Sequence, residues 1–318
     1  MTSIKADSIR GRRSRVPMGR RILNDLKKNK YLYLMLLPII AFFLIFHYYP
    51  MYGAQIAFRD FRPALGITGS KWVGWKHFLS FFKSRYFNRV VGNTLSISLK
   101  NLVFGFPAPI LLALMINEVR SVKYKKTVQT ISYLPHFVSQ VVMCGLLFEF
   151  CSYSGLFNNI REAFGYKPIL FLQQPGLFQG IYVASDIWQG VGWGSIIYLS
   201  ALTAIDQEQY ESARLDGAGR LKQIWYITLP NILPTIMIML ILRVGQMMSV
   251  GREKVLLLYN PLTYDTADVI STFVYRKGIL EASYSFSAAV GLFNSVINFV
   301  MLISVNYISK KTTENSLW

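Results

Sequence analysis

The chain has 318 residues, of which 53% are hydrophobic and 16% are charged, and its mean hydropathy is positive. A soluble domain of this size carries more charge, so the composition indicates an integral membrane protein. The net charge of +18 does not indicate a nucleic-acid-binding protein, because the basic residues cluster in short segments beside apolar stretches.

The N-terminus is strongly basic, with ten Lys or Arg and two acidic residues in the first 30 positions. The apolar run that follows, 31–46, ends in His-Tyr-Tyr-Pro, which is not the small-residue cleavage site of a secretory signal. We therefore predict a basic cytoplasmic segment at 1–30, an uncleaved first span, and a single transmembrane domain over 31–318.

Six segments are long and apolar enough to cross a bilayer, which requires about 20 residues each. They lie near 31–50, 92–117, 128–150, 178–204, 231–250 and 286–309. With the N-terminus inside, the inner loops contain 19 Lys or Arg in 75 residues and the outer loops 13 in 103. This twofold bias follows the positive-inside rule and predicts that both termini are cytoplasmic.

The first outer loop is rich in aromatic residues placed between Lys and Arg. They are Trp72, Trp75, Phe78, Phe81, Phe82, Tyr86 and Phe87. This pattern favours a helix lying in the outer membrane interface, and a generic aromatic belt is the alternative.

A polar stretch with helical spacing, 207–230, separates the fourth and fifth predicted spans. Asp206 can cap a short helix, and Gln209 three residues later would complete a capping box. Gly217 should end this helix, because glycine accepts the positive φ of a helix stop.

A second short helix is predicted after this turn, and Pro230 is expected to end it and to open the next span. One face of that helix would carry Leu221, Ile224, Trp225 and Thr228. Such a helix-turn-helix between two spans indicates a surface presented to a partner. The alternative is an ordinary turn in an ordinary cytoplasmic loop.

The residues of this loop resemble a known signature. Glu211-Ser212-Ala213, then Asp216-Gly217-Ala218, then Ile227-Thr228-Leu229-Pro230 are similar to the EAA loop of the membrane subunits of bacterial ABC importers. Ser212 departs from the alanine that the family prefers. The resemblance implies an all-α integral membrane protein with six transmembrane helices, the type I ABC importer permease fold, and a cytoplasmic coupling helix between spans four and five.

The same resemblance implies that the coupling loop docks in a groove of an ATP-binding subunit, with Glu211 and Arg214 fixing the register and Gly217 aiming the helix. The residues assigned to this contact are Tyr210, Glu211, Ser212, Ala213, Arg214, Asp216, Gly217, Ala218 and Pro230. Closure of two such subunits would move the spans between inward- and outward-facing states.

Further stretches resemble the LplB-like branch of the carbohydrate-uptake permeases, which import oligosaccharides and polyuronides. They are 133–137, 187–193, 258–262, 275–278 and 289–295. The likeness covers roughly 30–318, and Gly251-Arg252-Glu253 departs from it, since an aromatic residue usually follows that glycine. It implies a second, related permease subunit in a heterodimer, two ATP-binding subunits, an extracytoplasmic solute-binding protein, and a bacterial cytoplasmic (inner) membrane location.

No catalytic constellation is found in the sequence. There is no phosphate-cradling G-x-x-x-x-G-K-[ST] loop, so ATP and Mg²⁺ would be used by partner subunits and no cofactor would be bound by this chain. His47, His77 and His136 lack metal-ligand spacing. The expected activity is transport of an oligosaccharide, including acidic ones such as alginate or pectin fragments, and not catalysis.

Arg243 lies about 12 residues into the fifth predicted span, which places it near the middle of the membrane. It could contact an anionic sugar, because ionisable groups within spans are costly and often functional. The alternative is a structural ion pair with Asp186 or Glu149.

Other polar and aromatic residues of the fourth and sixth spans could form the stacking and hydrogen-bonding surface that a sugar needs. They are Trp188, Gln189, Trp193, Asn294 and Asn298. The alternative is contact between helices through polar residues.

Two other functions remain open at this point. A permease for another solute class would share the coupling loop. A self-contained secondary transporter would show inverted repeats and broken helices in matching halves, which the sequence does not display. A membrane-embedded enzyme would need carboxylate or histidine clusters at one interface, and the sequence has none.

Overall fold

The computed structural model describes residues 19, 25, 27–313 and 316–317. These residues are almost entirely helical, which confirms the all-α prediction apart from one small sheet. By their contacts the residues form two compact units, Met1–Gln55 and Ile56–Trp318. The predicted basic segment, 1–30, lies mostly outside the described residues.

The described part of the first unit is helical. Helix α1 (Lys30–Phe43) continues through a π-helical turn (Leu44–Tyr48) into α2 (Tyr49–Met51). With the 3₁₀ turn Tyr52–Phe58, these elements form a helix of 29 residues, in which the most apolar 18-residue stretch has a mean hydropathy of 2.0. Its most apolar stretch qualifies this helix as a candidate span.

The second unit begins with an antiparallel hairpin of β1 (Arg59–Arg62) and β2 (Ser70–Trp72). A 3₁₀ turn (Pro63–Leu65) and α3 (Gly66–Gly69) connect the two strands. A helix then lies within the aromatic stretch, α4 (Lys76–Phe82). Its residues Phe78 and Phe81 are buried, so part of the aromatic pattern belongs to the protein core.

Helix α5 (Phe87–Lys100), a π turn (Asn101–Gly105) and α6 (Pro107–Glu118) form one candidate span. The next apolar segment is interrupted. Helix α7 (Val122–Tyr133) and a 3₁₀ turn (Leu134–Phe137) meet α8 (Gln140–Phe150) at a bend of 100°.

This bend has a local cause, so the predicted third span, 128–150, is not one continuous helix. Pro135 has no N–H to donate to the preceding turn. Ser139 starts a new helix, because its hydroxyl accepts the Val142 N–H at 3.3 Å. The pair α7 and α8 therefore forms either a broken span or a re-entrant loop.

After α9 (Leu156–Ala163) and a 3₁₀ turn (Phe171–Gln173), the long helix α10 (Pro175–Thr203) crosses the unit. Gly192 of this helix lies against α7: a Cβ there would be 2.0 Å from the Ser132 carbonyl oxygen. Gly190, by contrast, faces open space. Only a residue without a side chain fits the α10–α7 crossing at 192.

The coupling loop contains α11 (Gln207–Leu215), followed by α12 (Arg220–Gln223), a π turn (Ile224–Thr228) and α13 (Leu229–Val244). Helices α14 (Arg252–Leu258), α15 (Tyr264–Ala267) and α16 (Ile270–Tyr275) come next. A π turn (Arg276–Leu280) precedes the final helix, α17 (Tyr284–Thr313).

A buried carboxylate connects the outer helices of this unit. Asp268 is fully buried, and its Oδ2 atom lies 3.2 Å from Arg89 Nη2 on α5 and 2.6 Å from Arg276 Nη2 after α16. Asp265 also pairs with Arg89, at 3.3 Å, but its side chain is 85% exposed. The Asp268 pairs therefore hold α5 and α16 together across the sequence.

In the described chain four helices qualify as candidate spans by length and hydropathy, and a fifth does if the bent pair is one span. Helix α10 is long enough but is not among them, because it carries polar residues such as Asp186 and Gln189. The six-span topology is compatible with this arrangement, with α10 as the polar span.

Candidate coupling loop and translocation path

Helix α11 begins as the sequence predicts, but its capping box does not form. Asp206 Oδ1 accepts the Glu208 N–H at 3.0 Å. The Gln209 side chain is engaged elsewhere: its Oε1 accepts from Asn231 Nδ2 at 2.9 Å. This bond connects the coupling loop to the start of α13.

The end of α11 has the predicted glycine stop. Gly217 has φ +74°, a conformation that L side chains rarely adopt. The Ala218 N–H donates to the Ala213 carbonyl at 2.8 Å, and the Gly217 N–H donates to the Arg214 carbonyl at 3.0 Å. This pair of bonds is the Schellman motif, and it fixes the angle at which the chain leaves α11.

Two side chains hold α11 against the rest of the protein. Tyr210 packs on the buried cluster around Ile205, and its hydroxyl lies 3.0 Å from Thr228 Oγ1. Gln223 Nε2 donates to the Ala218 carbonyl at 2.7 Å. The helix is therefore anchored along one side and free along the other.

Most of the residues predicted for the coupling contact are exposed. Ala213, Ala218 and Tyr210 are partly buried, and the exposed ones are Glu211, Ser212, Arg214, Asp216, Gly217 and Pro230. Leu215 is 90% exposed. The exposed residues of α11 are therefore available to a partner.

The second half of the loop differs from the prediction. Arg220–Val244 is one candidate span, so Pro230 does not end a separate helix. The π turn just before Pro230 lets the helix continue past a residue that cannot donate a hydrogen bond. The residues expected on one face of this helix have different surroundings, because Leu221 and Trp225 are more than two-thirds exposed whereas Thr228 is buried.

A polar cluster lies at the C-terminal end of α13, around Asp186 of α10. Asp186 Oδ2 accepts from Asn101 Nδ2 at 2.7 Å, and Oδ1 lies 3.4 Å from Lys254 Nζ. Arg243 Nη2 is 4.0 Å from Asp186 Oδ2. One carboxylate therefore faces two cations.

Lys254 is an unexpected member of this cluster. Its side chain is 3% exposed, and its ammonium donates to the Tyr182 carbonyl at 3.1 Å and lies over the Tyr182 ring. Burial lowers the pKa of Lys254, whereas the Asp186 carboxylate raises it. The sequence signals for this cluster are Asp186 and Arg243, each an ionisable residue within a predicted span, whereas Lys254 lies outside the predicted spans and gives no such signal.

Arg243 lies in the last turn of α13, not halfway along a span as predicted, because the helix ends at Val244. Its side chain is 48% exposed, and Asp186 is the closer of the two carboxylates considered for it. Arg243 and Gln189 both line a cavity of about 630 Å³ between α10, α6 and α13.

The other predicted path residues are distributed differently. Asn294 lines a neighbouring cavity of about 580 Å³, which also reaches Asp186 and Lys254. Trp188, Trp193 and Asn298 line neither cavity. Trp193 stacks on His136, with ring centroids 4.6 Å apart, whereas Trp188 is about half exposed.

Asn298 joins two helices. Its Oδ1 accepts the Met248 N–H at 2.9 Å, and its Nδ2 donates to Ser249 Oγ at 3.0 Å. Asn294 Oδ1, in contrast, is buried without a hydrogen-bond partner in the described protein. The two asparagines share a face of α17 but have different surroundings.

No three His, Cys, Asp or Glu side chains are placed to hold a metal ion among residues 19, 25, 27–313 and 316–317. The site consists instead of long apolar helices, polar cavities between them, and an exposed helix-turn on one side. Together these features define a multi-pass membrane transport protein.

Comparisons with known proteins agree with this class. Residues 105–314 match the family of the binding-protein-dependent transport system inner membrane component, and the chain belongs to this family. It is therefore a multi-pass inner-membrane permease subunit and not an enzyme.

Two relatives from Bacillus subtilis (strain 168) are similar over nearly the whole chain. Protein LplB is 44% identical over 294 residues, which cover 92% of each chain. The polygalacturonan/rhamnogalacturonan transport system permease protein YteP is 43% identical over 300 residues, covering 94% of each. The resemblance to the LplB-like branch is thereby confirmed.

Two solved structures have the same fold. A chain of a bacterial ABC transporter involved in the import of the acidic polysaccharide alginate superposes with a TM-score of 0.86 at 48% identity, covering 92% of this chain and 99% of that one. A chain of the bacterial alginate ABC transporter in complex with an alginate pentasaccharide-bound periplasmic protein gives 0.87 at 46%, covering 93% and 100%. These superpositions confirm the predicted type I permease fold.

Proposed function

We propose that this permease subunit imports acidic oligosaccharides in an ATP-driven, binding-protein-dependent transporter. The observation that supports an acidic cargo is the excess of positive charge beside the cavity that Arg243 lines. Arg243 and Lys254 face the single carboxylate of Asp186, and Arg243 remains half exposed at the cavity wall. A uronate carboxylate entering this cavity would pair with the Arg243 guanidinium.

The named cargoes of the relatives support the same proposal. One relative transports polygalacturonan and rhamnogalacturonan, and one structural neighbour imports alginate; all of these polymers contain uronic acids. With a neutral sugar, Arg243 and Lys254 would still share the one carboxylate of Asp186, whereas a uronate would supply a second carboxylate.

The assembly we propose contains a second, related permease subunit, two ATP-binding subunits that use ATP and Mg²⁺, and an extracytoplasmic solute-binding protein. Both termini and the coupling loop would be cytoplasmic. The basic residues of the predicted inner loops support this orientation, and a neighbour whose structure contains a periplasmic protein supports the binding-protein contact.

In this assembly the exposed side of α11 docks on an ATP-binding subunit. Glu211 and Leu215 would make the contact, and Tyr210 would transmit the displacement to α13 through Thr228. Because α12 and α13 belong to one continuous helix, movement of the loop would tilt a span directly. The same helix carries Arg243 in its last turn, so the helix that Tyr210 of α11 contacts at Thr228 also carries the cargo contact.

The test uses the complete transporter in proteoliposomes and two cargoes of equal length, oligogalacturonate and its fully methyl-esterified form. Replacing Arg243 by Gln should lower uptake of the charged cargo about tenfold, the value of one charge-assisted hydrogen bond, and leave the neutral ester nearly unchanged. Arg243→Lys, which keeps the charge, should retain most of the uptake.

Three results would contradict the proposal. Equal loss for both cargoes would show that Arg243 is structural, with Asp186 as its partner. If no ATP-binding subunit co-purifies with the chain, the ATP-driven mechanism is wrong. A response of the ATPase to binding proteins for another solute class would assign that cargo instead.

A further inference from the structure

A third polar cavity lies at the opposite end of the helices from Arg243, beside the coupling loop. It measures about 880 Å³ and is enclosed by the end of α6, the start of α7, the end of α10 and the turn after α11. Helix α6 ends at Glu118 and α10 at Thr203, so the cavity lies where two long helices end. That is the level of lipid headgroups for helices that cross a bilayer.

The lining of this cavity is strongly basic. Four cationic side chains line it, Arg120, Lys125, Arg214 and Arg220, and they face the single carboxylate of Glu118. The Arg220–Glu118 pair is loose, at 4.0 Å. Throughout the described chain, the other three have no carboxylate within ion-pair distance, so the cavity carries three uncompensated positive charges.

The two faces of α11 separate this cavity from the proposed docking surface. Gln207, Tyr210 and Arg214 recur at helical spacing and line the cavity. Glu211 and Leu215 do not line it and are exposed. Consecutive residues of a helix are about 100° apart, so the cavity lies on the face adjacent to Glu211 and Leu215. An ATP-binding subunit resting on those two residues would leave the basic cavity facing the ends of the long helices.

We propose that this cavity binds a phosphate group, carried by an anionic lipid headgroup or by free phosphate. Guanidinium groups match the geometry of phosphate oxygens, and basic pockets between spans on the cytoplasmic side suit anionic headgroups. A bound phosphate would contact α7 through Lys125 and the coupling loop through Arg214 and Arg220. It would therefore join the two inner loops and fix the position of α11.

The assay uses the assembled transporter in phosphatidylcholine nanodiscs, titrated with phosphatidylglycerol and, in a second arm, with inorganic phosphate. Binding is measured by native mass spectrometry. The double variant Arg120→Gln/Lys125→Gln removes two cavity charges. Its matched control, Lys123→Gln/Lys126→Gln, removes two charges from the same segment that do not line the cavity.

The cavity variant should lower the phosphatidylglycerol affinity about 25-fold, roughly fivefold for each cation removed, and the control should change it less than about twofold. If binding of inorganic phosphate alone depends on Arg120 and Lys125 in the same way, free phosphate is the ligand. If only binding of phosphatidylglycerol depends on them, the lipid headgroup is the ligand.

Equal losses of affinity in both double variants, or no loss in either, would overturn the proposal. So would a defect of the cavity variant confined to assembly with the ATP-binding subunits. Loss of lipid binding with cargo uptake retained would leave the proposed transport function intact.

Discussion

Gly217 allows the conformation of the coupling loop to be tested separately from its side-chain contacts. Its φ of +74° is required by the Schellman motif at the end of α11, yet a Cβ built on Gly217 meets nothing within 4 Å. Replacement by Ala therefore introduces backbone strain without a clash inside the chain. For an L residue that strain is about 1–2 kcal/mol.

A penalty of about 1–2 kcal/mol lowers the ratio of correctly aimed to misaimed loop by roughly 5- to 30-fold. Gly217→Ala should weaken the affinity for the ATP-binding subunit by that factor and lower the cargo moved per ATP in proteoliposomes. Gly217→Asn is the matched control, since Asn is larger but tolerates positive φ. It should stay within about threefold of the wild type.

The comparison of the two variants decides between conformation and contact. If Asn causes a greater loss than Ala, side-chain bulk against the partner controls the interaction and the conformational argument is wrong. If Ala couples as well as Gly, the turn after α11 does not aim the helix.

Three further predictions concern stability and charge. Gly192→Ala should destabilise the purified protein by about 1–3 kcal/mol, because the added Cβ would clash with the α7 backbone. Gly190 of the same helix faces open space, so Gly190→Ala should not lower the melting temperature. Asp268→Asn should lower the free energy of unfolding by about 3–5 kcal/mol, because two arginines lose a buried partner. The exposed Asp265→Asn should lower it by under about 1 kcal/mol, and equal shifts in thermal unfolding would contradict the burial argument. Glu211→Lys should abolish most ATP-driven uptake with an unchanged melting temperature, and normal uptake would remove Glu211 from the docking surface.

Features governed by local chemistry could be read from the sequence. Asp206 and Gly217 act on hydrogen bonds within their own turn, so the start and the stop of α11 were predictable. The capping role of Gln209 was not, because Asn231, 22 residues away in sequence, takes its side-chain oxygen. A local rule fails where a tertiary partner competes for the same atom.

Breaks and continuities of helices were harder to predict from average hydropathy. The segment 128–150 is apolar on average, and Pro135 with Ser139 nevertheless bends it by 100°. Pro230 has the opposite outcome, because a π turn preserves the helix around it. Proline indicates a disturbance, and the surrounding packing decides whether the helix breaks or continues.

The composition of the polar cluster depended on long-range contacts. Asp186 was predicted as a possible partner of Arg243, but Lys254 comes from a separate short helix that no span prediction includes. The position of Arg243 also changed, because α13 ends at Val244 where the apolar segment was expected to continue to 250. Pairing across 68 residues leaves no periodic signal in the sequence.

The central claim is that an ATP-binding subunit drives this permease through the exposed side of α11. A photo-crosslinking amino acid at Leu215, which is 90% exposed, tests it in intact membranes, with the 62% exposed Leu262 outside the coupling loop as control. The account predicts that Leu215 captures the ATP-binding subunit and that Leu262 does not. Capture of lipid alone at Leu215, or equal capture at both positions, would contradict it.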